Sequence, residues 1–285
     1  MEVDISKRRS MSSLPDSTID EYKIIARRVR RELLDMVYRS SSPHIGSSLS
    51  IVEILVALYF RCLRVSPDKP HDENRDRFVL SKGHGCPAFY ATLAHRGFLG
   101  SYVLSGFAVN GGILEQHPTC NVEQGIEVST GSLGHGLSIG AGMAIAAKHD
   151  QALYRIFVLL SDGEMDEGSV WEAMMFASHH RLDNLIAIVD YNKIQALGRT
   201  NEVVNLEPLA DKWRSFGWRV EEIDGHDFEQ IVSAFEKVLL QQGKPNVIIA
   251  HTVKGKGVSF MEDRLLWHYK CLDQDEYTKA MMEIS

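Results

Sequence analysis

Cysteine is scarce and unpaired in this sequence. The four present, Cys62, Cys86, Cys120 and Cys271, show no C-x-x-C spacing, which excludes a disulfide scaffold or a zinc ribbon and leaves them as reduced, mostly structural side chains. Long apolar runs are missing as well. The most apolar stretch, residues 51–60, is ten residues long and contains Glu53, against the ~20 residues a bilayer span needs. The opening Met-Glu-Val-Asp-Ile-Ser-Lys-Arg-Arg has no apolar core of the kind a secretory signal carries, so a cytoplasmic protein is expected. Positive charge is in deficit, with 31 Lys and Arg against 38 Asp and Glu, and a net charge of -7 argues against a nucleic-acid surface. No H-E-x-x-H is found, and the adjacent His179 and His180 cannot both face one metal from a helix. Lys254-Gly255-Lys256-Gly257 lacks the surroundings of a phosphate-binding P-loop and reads as a solvated loop near the phosphate edge. Gly134, Gly136 and Gly140 imitate a dinucleotide fingerprint, but their spacing is wrong.

What is there fits one large α/β domain. The chain has 285 residues, 44% of them hydrophobic, enough for a full core. Residues 1–15 form a polar tail expected to fray, and the domain is expected over 16–285. Helical spacing runs from Thr18 to Tyr38, and Ser50-Ile-Val-Glu53 has the capping-box pattern that opens a second helix to about Leu63. Arg77 to Ser81 is a short strand, Pro87 opens a helix, and Gly134 to Lys148 is a small-residue helix. From Arg155 strands and helices alternate to Val253, including a mostly buried helix over Val170 to Ser178 and a helix whose N-cap is Asp227. At least five strands are counted. The expected architecture is a doubly wound parallel sheet with helices on both faces and an irregular C-terminal extension.

One pair of residues carries chemistry. Asp162-Gly163 closes the strand-like run 155–161, and Asn192 follows the run 184–190, with one helix-length segment between them. If the two runs are neighbouring parallel strands, their carboxyl ends lie about 5 Å apart on one edge of the sheet. A carboxylate and an amide oxygen there suit a hard cation. Mg²⁺ fills its remaining positions with water and substrate phosphates, so the pair reads as a clamp for a magnesium-bound diphosphate. Asp-Gly after a strand is also ordinary turn chemistry, and the acidic loop Glu164 to Glu167 followed by a helix is what shifts the balance. Histidines recur in glycine- or proline-marked loops, at His44, His84, His117 and His268. A loop histidine is more often a solvated or satisfied hydrogen-bond partner than a catalyst, but together the four suit a polar, phosphate-rich pocket.

The strand, acidic loop, helix, strand and Asn resemble the thiamine diphosphate motif, with Ser161 where the first glycine is usual. The segments Arg77 to Gly85, His117-Pro118, Thr130 to Gly136, Ser161 to Gly163, Asn192 and Asp224 to Asp227 occur in the order found in the diphosphate-binding N-terminal domain of transketolase, and the resemblance covers roughly residues 20–270. It implies that Asp162, Asn192 and the carbonyl of Ile194 hold Mg²⁺, Ca²⁺ being the alternative occupant. It implies that Gly163, His84 and His268 contact the diphosphate, and that Gly131 and Leu133 touch the aminopyrimidine. His44 and His117 would face the substrate, and Glu167 would lie in an acidic subunit-interface network near the cofactor. Two departures concern the substrate side: Pro43-His44-Ile45 stands for the usual Gly-His-Pro, and His135 for the usual glutamine.

Family transketolases are more than twice this length, and their second domain supplies the glutamate that activates the aminopyrimidine. The resemblance therefore implies the N-terminal subunit of a split transketolase, working with a separate C-terminal, pyrimidine-binding subunit in an α₂β₂ assembly on sugar phosphates, with no nucleic-acid or membrane partner. An α subunit of a 2-oxoacid dehydrogenase or acyloin-type synthase is the alternative within thiamine enzymes. A non-catalytic cofactor-binding module is the alternative outside them.

Overall fold

A computed structural model describes residues 16–284; the polar stretch 1–15 lies outside the described residues. Along the chain, α1 (Asp16–Ser40), α2 (Ile45–Leu49) and α3 (Val52–Ala57) precede β1 (Arg77–Leu80) and α4 (Cys86–Arg96). Then α5 (Gly136–His149), β2 (Ile156–Ser161), α6 (Gly168–His179) and β3 (Leu185–Tyr191) follow. The chain closes with α7 (Thr200–Val203), α8 (Leu209–Ser215), β4 (Arg219–Asp224), α9 (Phe228–Leu240), β5 (Asn246–His251) and α10 (Gln274–Glu283). The five strands are all parallel, in the order β1-β2-β3-β5-β4, so β2 and β3 are neighbours as the sequence pattern required.

Every residue of β2 and β3 is buried, which is why both read as unbroken apolar runs and not as alternating ones. Successive side chains leave opposite faces. Phe157, Leu159, Ile186, Ile188 and Ile248 enter a core with α1, α3, α4 and α9, while Val158, Leu160, Ala187, Val189 and Ile249 enter a second core with α5, α6 and α8. Helix α5 approaches β2 closely because Gly140 faces it: a Cβ there would stand 2.6 Å from Val158 Cγ2. Covered on both faces, the sheet presents its carboxyl edge, where parallel α/β sheets bind ligands.

Three expectations change. The Ser50–Glu53 capping box does not form; the helix expected from Ser50 is α3 continued by a π-turn over Leu58–Cys62, and the short α2 precedes it. The Ser50 hydroxyl donates to Asp190 at 2.8 Å and the Glu53 carboxylate accepts from Arg30, so both side chains are drawn away from the helix start. Helix α6 is half buried: Val170, Ala173, Met174 and Ala177 pack inward, while Met175 and Phe176 are exposed. The C-terminal extension also holds a regular element, α10, where Asp273 and Glu276 form a reciprocal capping box and Tyr277 stacks on Tyr38 of α1 at 4.2 Å between ring centres. The N-cap at Asp227 forms as expected, accepting from the Glu229 and Gln230 amides.

An N-cap of this type contributes about 0.5–2 kcal/mol. Asp273→Ala is expected to lower the unfolding free energy by an amount in that range, read as a lower urea midpoint at an unchanged denaturant slope; an unmoved midpoint would show that α10 does not unfold with the domain.

Candidate functional site at the carboxyl edge of the sheet

Asp190, near the end of β3, is fully buried and draws in four donors. Its carboxylate accepts from Ser50 Oγ (2.8 Å), Lys82 Nζ, Asn192 Nδ2 (3.1 Å) and Thr252 Oγ1. Burial alone would push this carboxyl up, but the Lys82 charge and the hydrogen bonds from Lys82, Thr252 and Ser50 outweigh it and hold it below the usual carboxylate range. The bond from Asn192 has a directional consequence. With Nδ2 spent on Asp190, Oδ1 turns to the next loop and accepts the Ile194 amide at 3.1 Å.

Asp162 lies beside this group, 1% exposed, accepting the Gly163 amide (2.7 Å) and the Lys193 amide (2.5 Å). Burial and the neighbouring charge of Asp190 push its carboxyl up to about 6, despite those two amides. Lys254, 1% exposed, donates to the Ile194 carbonyl at 3.1 Å and reaches His268 Nδ1 at 2.9 Å. Burial, then the proximity of Lys82, lowers its ammonium to about 8. Lys254 is thus not part of a solvated loop. Two carboxylates and two ammonium groups share one water-poor edge, where charges interact strongly.

Three imidazoles cover the same edge. The ring centres of His44, His84 and His268 lie 5.3 Å (His44 to His84), 5.0 Å (His44 to His268) and 5.8 Å (His84 to His268) apart. His44 holds a left-handed backbone, φ 69°, fixed by its amide donating to the His268 carbonyl at 3.0 Å. Burial first, then the nearby cations, lowers His44 to about 4, His268 to about 3 and His84 well below the usual value. All three are therefore neutral near pH 7. His44 Nδ1 is buried without a hydrogen-bond partner. His117 packs against Gly131, whose φ is +151° and whose added Cβ would come within 2.9 Å of the imidazole. It lines a polar cleft of about 600 Å³ with Gln116, Thr119, Ser129 and Thr130.

The loop 130–136 is anchored by Glu164, a buried carboxylate that accepts from Ser81 Oγ and from the Gly134 amide at 2.8 Å. Gly134 (φ +82°) presses on Glu167, whose Cβ would be 2.7 Å from an added Cβ, and Glu167 itself is exposed. Leu133 is partly exposed on this loop. The structure thus brings Asp162, Gly163, Asn192 and Ile194 together, gathers His44, His84 and His268 over them, and joins His117 to Gly131. Leu133 and Glu167 stand on the outer side of the loop.

Lys82, Asp190, Lys254 and Glu164 are the residues that sequence reasoning missed. Their signal was position: Lys82, Asp190 and Lys254 each lie at or just past the carboxyl end of a strand, where α/β sheets bind ligands.

The donor set suits a magnesium diphosphate. Among the described residues no three His, Cys, Asp or Glu side chains come together as a metal site, so a cation here would rest on one carboxylate, one amide oxygen and one carbonyl. Those hard oxygens leave room for phosphate oxygens and water, and Lys254 offers the anion a charge-assisted partner. Residues 21–284 match the family described as transketolase, thiamine diphosphate binding domain. The chain belongs to the transketolase family. Its parallel α/β sheet is the thiamine-diphosphate-binding fold of the transketolases, a family of transferases. It is 45% identical over 267 residues to one of the subunits of the apulose-4-phosphate transketolase of Phocaeicola vulgatus, covering 94% of this chain and 95% of that one. It is 46% identical over 256 residues to a 6-deoxy-6-sulfo-D-fructose transketolase subunit of Clostridium sp., covering 90% and 93%. Among solved structures, transketolase from Campylobacter jejuni superposes with a TM-score of 0.84 at 29% identity, covering 95% of this chain and 43% of that one. The Leishmania mexicana enzyme gives 0.82 at 27% identity, covering 92% and 44%. The chain thus spans less than half the length of these solved transketolases.

A pH dependence follows for the transketolase-type site without cofactor. His44, His84 and His268 have folded values below the unfolded imidazole, so the unfolded chain takes up their protons first and stability falls as pH drops below about 6.5. Asp162, raised to about 6, and Glu164, raised by its burial, work the other way over part of this range, so three imidazoles oppose two carboxyls. The melting temperature is expected to drop between pH 6.5 and 4, and less steeply in His268→Asn; parallel profiles would refute the assignment.

Proposed function

We propose that this chain is the N-terminal subunit of a split transketolase, transferring a two-carbon ketol unit between sugars with a separate C-terminal subunit. The observation that carries the reading is the convergence of Asp162, Asn192 and the Ile194 carbonyl with Lys82 and Lys254 at one buried strand edge. In this reading Asp162, Asn192 and the Ile194 carbonyl hold Mg²⁺, with Ca²⁺ as alternative. Gly163, His84, His268 and Lys254 receive the diphosphate, Gly131 and Leu133 border the aminopyrimidine, and Glu167 faces the subunit interface. When bound, thiamine diphosphate supplies the nucleophilic carbon that carries the two-carbon unit. The protein supplies the rest. His44, neutral and with Nδ1 unpartnered, is suited to exchange a hydrogen bond or a proton with a sugar hydroxyl, and His117, lining the polar cleft, is suited to orient the donor.

A dehydrogenase or acyloin-type α subunit is the second reading. The two relatives of nearly equal length, both named transketolase subunits, favour the first. Those relatives are named for sugars bearing a phosphate or a sulfo group, and we extend that class, a sugar with an anionic substituent, to this chain. An α₂β₂ assembly in the cytoplasm completes the proposal. Among the described residues no helix is long and apolar enough to cross a membrane. Exposed apolar side chains stand near the edge, Leu197 at 77%, Leu266 at 60% and Tyr269 at 58%, as a surface that a second subunit covers would carry.

Asp162→Ala is expected to abolish Mg²⁺-dependent binding of thiamine diphosphate in calorimetry, since it removes the one charged ligand of the set. Unchanged affinity in a folded variant would remove the cofactor assignment. Half a site cannot complete the chemistry, so the purified chain alone is expected to show no ketol transfer, and mixing it with its C-terminal partner to restore it. Robust turnover by the isolated chain would refute the split-enzyme reading.

A further inference from the structure

A second cleft, about 900 Å³, opens between the start of α1 and the start of α9. On its wall lies a chain of three largely buried groups outside the set assigned above. Arg30 Nη2 donates to both oxygens of Glu53, at 2.6 and 2.8 Å. His226 Nδ1 lies 3.1 Å from Glu53 Oε2, and His226 Nε2 accepts the Val253 amide at 2.8 Å. Because Nε2 accepts, the imidazole proton sits on Nδ1 and donates to Glu53, so His226 from one side and Arg30 from the other both donate into the Glu53 carboxylate. Burial works against the Glu53 carboxylate, but the Arg30 charge and the His226 bond hold it below its usual range.

The same network touches the backbone twice. Arg30 Nε donates to the Lys256 carbonyl at 3.2 Å, so His226 and Arg30 hold the segment at Val253 and at Lys256, on either side of Lys254. Arg30 packs so closely that a Cβ on Gly257 would stand 2.9 Å from its Nε. From the opposite side Thr252 Oγ1 donates to Asp190 and the Gly255 amide donates to the Gly46 carbonyl at 3.0 Å. A buried Arg–Glu pair adds little net stability, because desolvation offsets its attraction. What it fixes here is the path of four residues.

We infer that His226, backed by Glu53 and Arg30, is a positioning residue that sets the Lys254 ammonium at the strand edge. It acts through the backbone and touches no ligand. The inference rests on the assignment of Lys254 to the diphosphate site. Outer-shell groups of this kind typically change affinity about 10–100-fold when removed.

A double-mutant cycle tests it, with Mg²⁺ and thiamine diphosphate titrated calorimetrically into the full-length chain at concentrations that saturate it. His226→Ala and Lys254→Met are each expected to weaken binding by about 10-fold or more. The double variant is expected to bind no more weakly than Lys254→Met alone. Multiplied losses in the double variant overturn the inference, as does a normal affinity in His226→Ala while Lys254→Met is weakened. A normal affinity in Lys254→Met would instead overturn the site assignment, and this inference with it. His226→Asn, whose shorter amide cannot span from Glu53 to the Val253 amide, runs the same cycle if the alanine variant does not fold.

Discussion

The buried carboxylate of Asp190 is the constraint on which the site depends. It gathers groups 140 positions away in Ser50, 108 in Lys82 and 62 in Thr252, and so ties the ends of β1, β3 and β5 and the α2 region to one point. Removing one member of such a pair leaves an uncompensated buried charge, at a cost of about 3–5 kcal/mol. The same carboxylate turns the Asn192 amide so that its oxygen faces the loop, and raises the proton affinity of Asp162 beside it. The protein's own hydrogen bonds therefore fix how these oxygens are turned.

Much of the fold was legible because burial on both sides of a parallel sheet leaves strands as plain apolar runs. The runs before Asp162 and Asn192 are β2 and β3, paired in register, and the distance between them in sequence fits one crossover helix. Charged residues past the strand ends were harder to read. Lys254 looks solvated in sequence because two glycines and another lysine follow it, and its burial comes from tertiary packing, with Gly46 against its stem and the Ile194 carbonyl and His268 at its ammonium. The Ser50–Glu53 pattern misled for the converse reason: both side chains suit a cap, but tertiary partners in Asp190 and Arg30 bind them first. Helix α6 read as mostly buried because apolarity does not say against what a residue packs, and Met175 and Phe176 are exposed.

The two sides of the sheet edge contribute unequally. Toward α1, α3 and α9 lie buried ion pairs that order the backbone, and toward the loop 130–136 lie partly exposed groups such as Leu133 and the exposed Glu167. Rigid machinery on one side and an open rim on the other is the arrangement that the proposed split enzyme would need.

The hydrogen bond between the His44 amide and the His268 carbonyl bears on biosynthesis. A ribosome delivers position 44 long before position 268, and parallel pairings among strands far apart in sequence form slowly. The pocket is complete only once position 268 has been made and has folded back onto position 44. A ligand that stabilises it acts by mass action on a domain already folded through that residue.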